Sequence, residues 1–277
     1  MRKERLDVLL VKRNLIDTRE KAKRMIMAGL VFTNQERLDK PGMKVAEDIP
    51  LTVKGSIKYV SRGGFKLEKA LVSFQTTVKD KTIVDIGSST GGFTDCALQH
   101  GAKLVYAIDV GYNQLDWKLR NDDRVIVKER TNFRYVTKEL FTKELPDFAT
   151  IDVSFISLRL ILPVLKRILQ DNGEVITLIK PQFEAERNQV GKKGIVRLKK
   201  VHQSVLNKII TFAKAEGYSF LNLTYSPITG GEGNIEFLAH LGWNLKSSIP
   251  NIDHEQMIDQ IVDEAHQAFK KSEVKNE

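Results

Sequence analysis

One cysteine, Cys96, stands in 277 residues, so no disulfide can form within the chain. Its setting, "GGFTDCALQH", reads as the apolar face of a helix and predicts a buried structural thiol rather than a nucleophile. Histidine is also scarce. His100, His202, His240, His254 and His266 are scattered without metal-ligand spacing, and no metal is expected. No stretch approaches the roughly 18 uncharged apolar residues of a membrane helix. The opening "MRKERLDVLLVKRNL" is too charged for a signal-peptide core, and its Glu4 and Asp7 argue against a mitochondrial presequence. A cytoplasmic protein without a membrane partner is the expectation.

Charge of one sign is in excess, and unevenly so. The net charge is +9; residues 1–60 hold 14 Lys/Arg against 8 Asp/Glu, and the remaining residues 30 against 27. A compact basic module on a near-neutral body suggests a polyanionic partner.

The pattern divides the chain into 1–60 and 61–277. In the first part Leu6, Leu9 and Leu10 have helical spacing, and Thr18 caps a second helix carrying Arg19, Lys23 and Arg24. Gly29 stops that helix, "LVFTN" and "IPLTV" read as short strands, and "DKPGMKV" reads as a turn. Arg19, Ala22, Ile26, Gly29, Val31 and Asn34 resemble the S4 RNA-binding module. That resemblance implies RNA contacts from Arg5, Lys12, Arg19, Lys23 and Arg24, mostly to phosphate.

From residue 80 onward strands and helices alternate. "TIVDIG", "LVYAIDV", "RVIVKE", "FATIDVSF", "EVITLIKP", "YSFLNLTYSPI" and "IEFLAHLGW" read as strands, with helices over 91–100, 157–170 and 198–216. This predicts an α/β fold: a seven-stranded, mostly parallel Rossmann-like sheet closed by an antiparallel hairpin. It joins a small N-terminal α+β module. The apolar face of "EQMIDQIVDEAHQAF" predicts a packing helix. The polar "FEAERNQVGKKGIVRL" reads as a mobile loop closing over RNA, or as a plain solvent loop.

"IVDIGSSTGGFTD" joins the first of these strands to a helix. It lacks the Gly-Lys-Ser/Thr of a P-loop and the second glycine of the dinucleotide fingerprint. Gly87 turns the chain, and Gly91 and Gly92 admit a ligand to the backbone. Asp85 is a carboxylate in an apolar strand, where burial is costly without a partner. A cationic ligand is one candidate partner. Asp109 ends the next strand, where a carboxylate suits two ribose hydroxyls. Asp-x-Gly plus this acid resembles the S-adenosylmethionine (SAM) site of class I methyltransferases, with NAD(P) as the nearest rival ligand. The resemblance implies cofactor contacts from Asp85, Gly87, Ser88, Gly91, Gly92, Asp109, Val110, Asn132 and Asp152.

Polar residues also stand where strand ends should be apolar: Asp152, Lys180 and Glu236, with Lys66 on a helix before the first of these strands. In this order Lys66, Asp152, Lys180 and Glu236 resemble the Lys-Asp-Lys-Glu tetrad of FtsJ-like 2′-O-methyltransferases. "YVSRGGFKLEKAL", "ERTNFR", "IDVSFIS" and "KPQFE" further resemble the TlyA family, in which an S4 module joins that fold. The resemblance implies SAM-dependent methylation of cytidine ribose in ribosomal RNA, with ribosomal RNA or subunits as partners. Lys180 is the expected general base, Lys66 its neighbouring cation, and Arg62 a phosphate contact at the junction. Three rivals stand beside it: a haemolysin, a label also carried by this family, a non-catalytic ribosome-binding factor, and an S4-bearing enzyme of other chemistry.

Overall fold

The computed structural model describes residues 2–34, 36–55, 58–230, 233–246 and 252–273. They form two compact units, residues 1–62 and 63–277.

In the first unit the elements run β1 (Lys3–Arg5), α1 (Leu6–Lys12), α2 (Arg19–Met27), β2 (Val31–Thr33), β3 (Glu36–Arg37), β4 (Lys44–Ala46) and β5 (Thr52–Val53). Leu6, Leu9 and Leu10 meet Ala22, Met25 and Ile26 in a small core that Val31 and Val45 complete. Thr18 accepts from Lys21 N at 3.2 Å and so starts α2, and Gly29 at φ +71° ends it. The sequence pattern misses β1, β3 and β4, the last because "DKPGMKV" reads as a turn. "KER" has no apolar alternation, and β1 is held by pairing with β4.

The second unit contains α3 (Gly63–Phe74), β6 (Thr82–Ile86), α4 (Gly92–Gln99), β7 (Leu104–Ile108), α5 (Trp117–Arg120), β8 (Val125–Lys128) and β9 (Phe148–Ile151). It continues through α6 (Leu162–Leu165), β10 (Gly173–Ile179), α7 (Pro181–Glu184), α8 (Lys199–Ala215), β11 (Tyr218–Tyr225), β12 (Phe237–Trp243) and α9 (His254–Glu273). All seven strands fall where the alternation puts them. Their order is β11-β12-β10-β9-β6-β7-β8, and β12 runs antiparallel between β10 and β11. The chain builds outward from β6 to β8, then returns to β9 on the other side of β6. The carboxyl ends of β6 and β9 therefore flank the switch point where such sheets bind ligands.

Two segments depart from expectation. The helix over 157–170 is broken into a 3-10 turn at Leu158–Leu160 and the short α6. Pro163 has no N–H and fits only a first turn, so the helix restarts there. The segment 183–198 is not a free loop. It holds the end of α7 and 3-10 turns at Arg187–Gln189 and Lys192–Gly194, and it buries Ile195 and Val196. Asn234 clamps it, accepting from Val196 N at 3.0 Å and donating to Gly194 O at 2.9 Å.

α9 buries Ile258, Val262 and Ala265 against the domain, as its apolar face predicts. At its seam with α8, His202 Nδ1 lies 2.9 Å from His266 Nε2. Burial, and then the neighbouring His266, push His202 down to about 4. The folded state therefore holds His202 neutral where the unfolded chain takes up a proton. Its contribution is complete above the unfolded value of 6.5 and is lost as pH falls from there toward 4. Urea melts of the second unit should show about 2 kcal/mol less stability at pH 5 than at pH 7 from this group. His202→Phe should flatten that dependence; an unchanged slope would assign it to other groups.

Candidate active site

Lys66, Asp152, Lys180 and Glu236 converge. Three come from strand ends for a topological reason. Asp152 and Lys180 directly follow the parallel strands β9 and β10. Glu236 precedes β12, and since β12 is antiparallel its beginning lies beside the end of β10. The pairing of Ile179 with Phe237 puts Glu236 next to Lys180 in register. Lys66 arrives from the first turns of α3.

The four form a chain of alternating charge. Lys66 Nζ is 2.6 Å from Glu236 Oε2 and 3.8 Å from Asp152 Oδ2. Lys180 Nζ is 2.5 Å from Asp152 Oδ1. Lys66, Lys180 and Glu236 are buried. A buried ion is tolerable only when paired, and here each faces an opposite charge. α3 carries no acid in its first turn, and Lys66 sits there against the helix dipole. Two carboxylates from elsewhere in the fold offset that unfavourable placement. Neither Gly63 nor Gly64 adopts left-handed backbone, and α3 begins at Gly63.

The glycine turn is built differently from the expectation. Gly87, at φ +83°, lies where a Cβ would come within 2.7 Å of Asp152 O, so its bareness lets the ends of β6 and β9 close. Gly91, at φ +92°, makes room for protein rather than ligand: a Cβ there would meet Leu119 Cδ1 at 2.2 Å and Leu115 Cδ1 at 2.8 Å. Gly92 follows as the first residue of α4, and Ser88 is buried. Asp85 finds its partners inside the protein. The hydroxyls of Thr94 and Thr150 donate to its two oxygens at 2.6 and 2.9 Å, while burial pushes its acid up to about 6.

Asp109 just past β7 is anchored by backbone. Ser89 N donates to Oδ2 at 2.8 Å and Gly111 N to Oδ1 at 2.7 Å. Each oxygen keeps a further lone pair. Val110 beside it is exposed, and Asn132 accepts from Arg134 N at 3.1 Å. Glu129, bonded to Arg120, holds the loop after β7 through Asn113 N and Gln114 N.

In the first unit the basic candidates are tied by acids that periodicity does not reveal. Asp7 is fully buried and accepts from Arg5 Nε at 3.0 Å and Arg19 Nε at 2.8 Å. Burial alone would raise its acid, but the two guanidinium groups outweigh that and hold it at about 2. Both arginines stay about half exposed, so Asp7 presents them as a pair. Lys12 pairs with Glu47, Lys23 with Glu20, and Arg24 donates to Val60 O at 3.2 Å. Arg62 is exposed.

Three residues near the tetrad escape sequence reasoning. Ser154 Oγ accepts from Lys180 at 3.0 Å, and Gln182 Nε2 donates to Glu236 Oε1 at 3.2 Å. Each lies two residues beyond a tetrad member, a spacing that only the ended strands make meaningful. Phe155 reads as strand, but β9 stops at Ile151. The residue stands 90% exposed at φ +61°, its ring 4.8 Å from that of Phe183. A bulky residue held in left-handed backbone at a site is a mark of function.

The sheet order and the strand-end acids are those of class I methyltransferases, enzymes that use SAM, and the FtsJ-like family match places this chain among them. Comparison with known sequences narrows that class. The FtsJ-like methyltransferase family matches residues 59–243, and the S4 domain matches residues 4–48. The Bacillus subtilis protein YqxC is 63% identical over 270 residues, covering 97% of this chain and 96% of its own. Hemolysin A of Brachyspira hyodysenteriae is 47% identical over 236 residues, 85% of this chain and 98% of its own. The 16S/23S rRNA (cytidine-2'-O)-methyltransferase TlyA of Mycobacterium tuberculosis is 38% identical over 242 residues, 87% of this chain and 90% of its own. The chain belongs to the TlyA family, FtsJ-like methyltransferases that carry an S4 RNA-binding domain.

Proposed function

We propose that this enzyme methylates a ribose 2′-hydroxyl of ribosomal RNA, with cytidine as the target nucleoside. The alternating chain Glu236–Lys66–Asp152–Lys180 carries the reading. A ribose hydroxyl is a weak nucleophile and must lose its proton during attack. Lys66 has its charge countered by two carboxylates, whereas Lys180 shares one. Lys180 is therefore the lysine to act as base, which it does in its neutral form after giving up its own proton, and Lys66 is the fixed cation beside the developing oxyanion. Asp152 and Glu236 orient the two ammonium groups, and Ser154 and Gln182 brace them.

SAM, when bound, supplies an activated methyl group. The anchored carboxylate of Asp109 suits a vicinal diol, and exposed Val110 suits a flat apolar ring. Ser88, the glycine turn, Asn132 and Asp152 complete the cofactor's surroundings. Asp85 supports that turn from within through Thr94. Phe155 offers a stacking face for a base turned out of its helix. Arg5, Lys12, Arg19, Lys23 and Arg24 of the S4 unit, with Arg62, contact RNA phosphates. Among the described residues no helix is long and apolar enough to cross a membrane.

The deciding experiment is mass spectrometry of ribosomal RNA fragments after incubation of RNA or subunits with the protein and labelled SAM. A methyl group on cytidine ribose is the expected product. A methyl group on a base would overturn the tetrad's role.

A further inference from the structure

A second cleft lies on the methyltransferase unit, between the turn Leu158–Leu160 and the outer face of α8. It is an open depression of about 430 Å³, lined by Arg159, Ser204, Asn207, Lys208, Thr211 and Phe212. Its chemistry is one-sided. No carboxylate lines it, and among the described residues neither Arg159 nor Lys208 forms an ion pair. Thr211 donates its hydroxyl to Asn207 Oδ1 at 3.2 Å, which leaves the Asn207 amide hydrogens for another acceptor. The Arg159 guanidinium stands 5.1 Å over the Phe212 ring, a flat cation on an aromatic floor.

The acid that feels both cations, Glu184, is occupied elsewhere. It accepts from Ser157 Oγ at 2.6 Å and from Leu158 N at 2.7 Å. Those bonds also fix the cleft's place. They fasten the turn carrying Arg159 to α7, which begins directly after Lys180. Ser154, which accepts from Lys180, is five residues before Arg159.

We infer that this cleft is an RNA-backbone subsite, taking a phosphodiester of the bound RNA between Arg159 and Lys208. Arginine and lysine with amide and hydroxyl donors, and no competing acid, match a phosphate. The size suits one nucleotide unit. This inference rests on the proposed RNA substrate and gives the methyltransferase unit a hold on RNA independent of the S4 unit.

The test is steady-state methylation of the RNA or subunit that the wild-type protein modifies, over a range of salt concentrations. Arg159→Ala/Lys208→Ala should raise the KM for RNA roughly tenfold, with the effect on KM rather than kcat. The slope of log kcat/KM against log salt should fall by about 1, the increment for the one phosphate no longer held. SAM affinity by calorimetry should not move. Arg159→Lys/Lys208→Arg, which keeps the charges, should stay within about threefold of wild type. A wild-type KM and salt slope in the double-alanine variant would overturn the subsite while leaving the enzyme's reaction standing. So would an equal rise in KM in the charge-keeping variant. Wild-type protein that methylates no RNA would remove the reading beneath it as well.

Discussion

Lys180→Ala binds SAM with wild-type affinity by calorimetry and loses methyl transfer to ribosomal RNA by roughly 10³-fold, within the range for removal of a general base. The expectation follows from the order of charges. Removing Lys180 leaves Asp152 with Lys66 at 3.8 Å and does not disturb the 2.6 Å pair of Lys66 with Glu236. The fold keeps its compensated ions and only the proton acceptor is gone. Lys180→Arg sharpens the test. It retains the charge opposite Asp152, but a guanidinium does not give up its proton, so activity stays lost. A Lys180→Arg enzyme with half the wild-type rate would remove this residue as the base. Lys66 is a poorer probe. Its loss leaves buried Glu236 without its cation while Asp152 keeps Lys180, and breaking such a buried pair costs about 3–5 kcal/mol in stability.

Gly87→Ala should have the second large effect, for reasons of space rather than charge. The residue is left-handed, which costs an L side chain about 1–2 kcal/mol. The added Cβ also meets the backbone at Asp152 O, Asp152 C and Val153 Cα at 2.7, 3.0 and 3.2 Å. Backbone cannot rotate aside, so the ends of β6 and β9 must part and carry Asp152 away from both lysines. Methyl transfer should fall at least about 10²-fold, the usual consequence of ångström-scale misplacement. The melting temperature should drop by several degrees. Gly194→Ala is the control. Its φ is +73° with nothing within 4 Å, so it carries the strain without the collision. Equal losses in the two variants would show that strain alone matters at Gly87.

The legible part of this protein is what repeats. Strands β6 to β12 are apolar runs bounded by turn residues, and a carboxylate or lysine at the end of such a run stands out. Asp109, Asp152, Lys180 and Glu236 can therefore be read from the chain alone. Interior pairing leaves no periodic trace. Asp7 looks like a surface acid in "RLDVLL", yet it is buried between Arg5 and Arg19, two arginines well apart in the chain. Asp85 looks as though it awaits a ligand, yet Thr94 and Thr150 already satisfy it. Gly91 looks made for a cofactor, yet it seats two leucines. Pro163 is plain in the sequence, but its power to split a helix depends on how the flanking turns pack. Arg159 and Lys208 are distant in the chain and are joined only by the return of α8 across the sheet.

The pairing of β12 between β10 and β11 also sets when activity can begin. Lys66 and Glu236 are 170 residues apart in the chain, and they meet only after β12 has entered the sheet. Pairs of such separation form late, because a long loop must close first. A nascent chain that has displayed its S4 unit, Lys66 and the glycine turn still lacks the partner that holds Lys66. The ribosome making this enzyme can therefore release residues that engage RNA well before it releases a catalyst. Methylation starts only after Glu236 has been made and β12 has paired with β10.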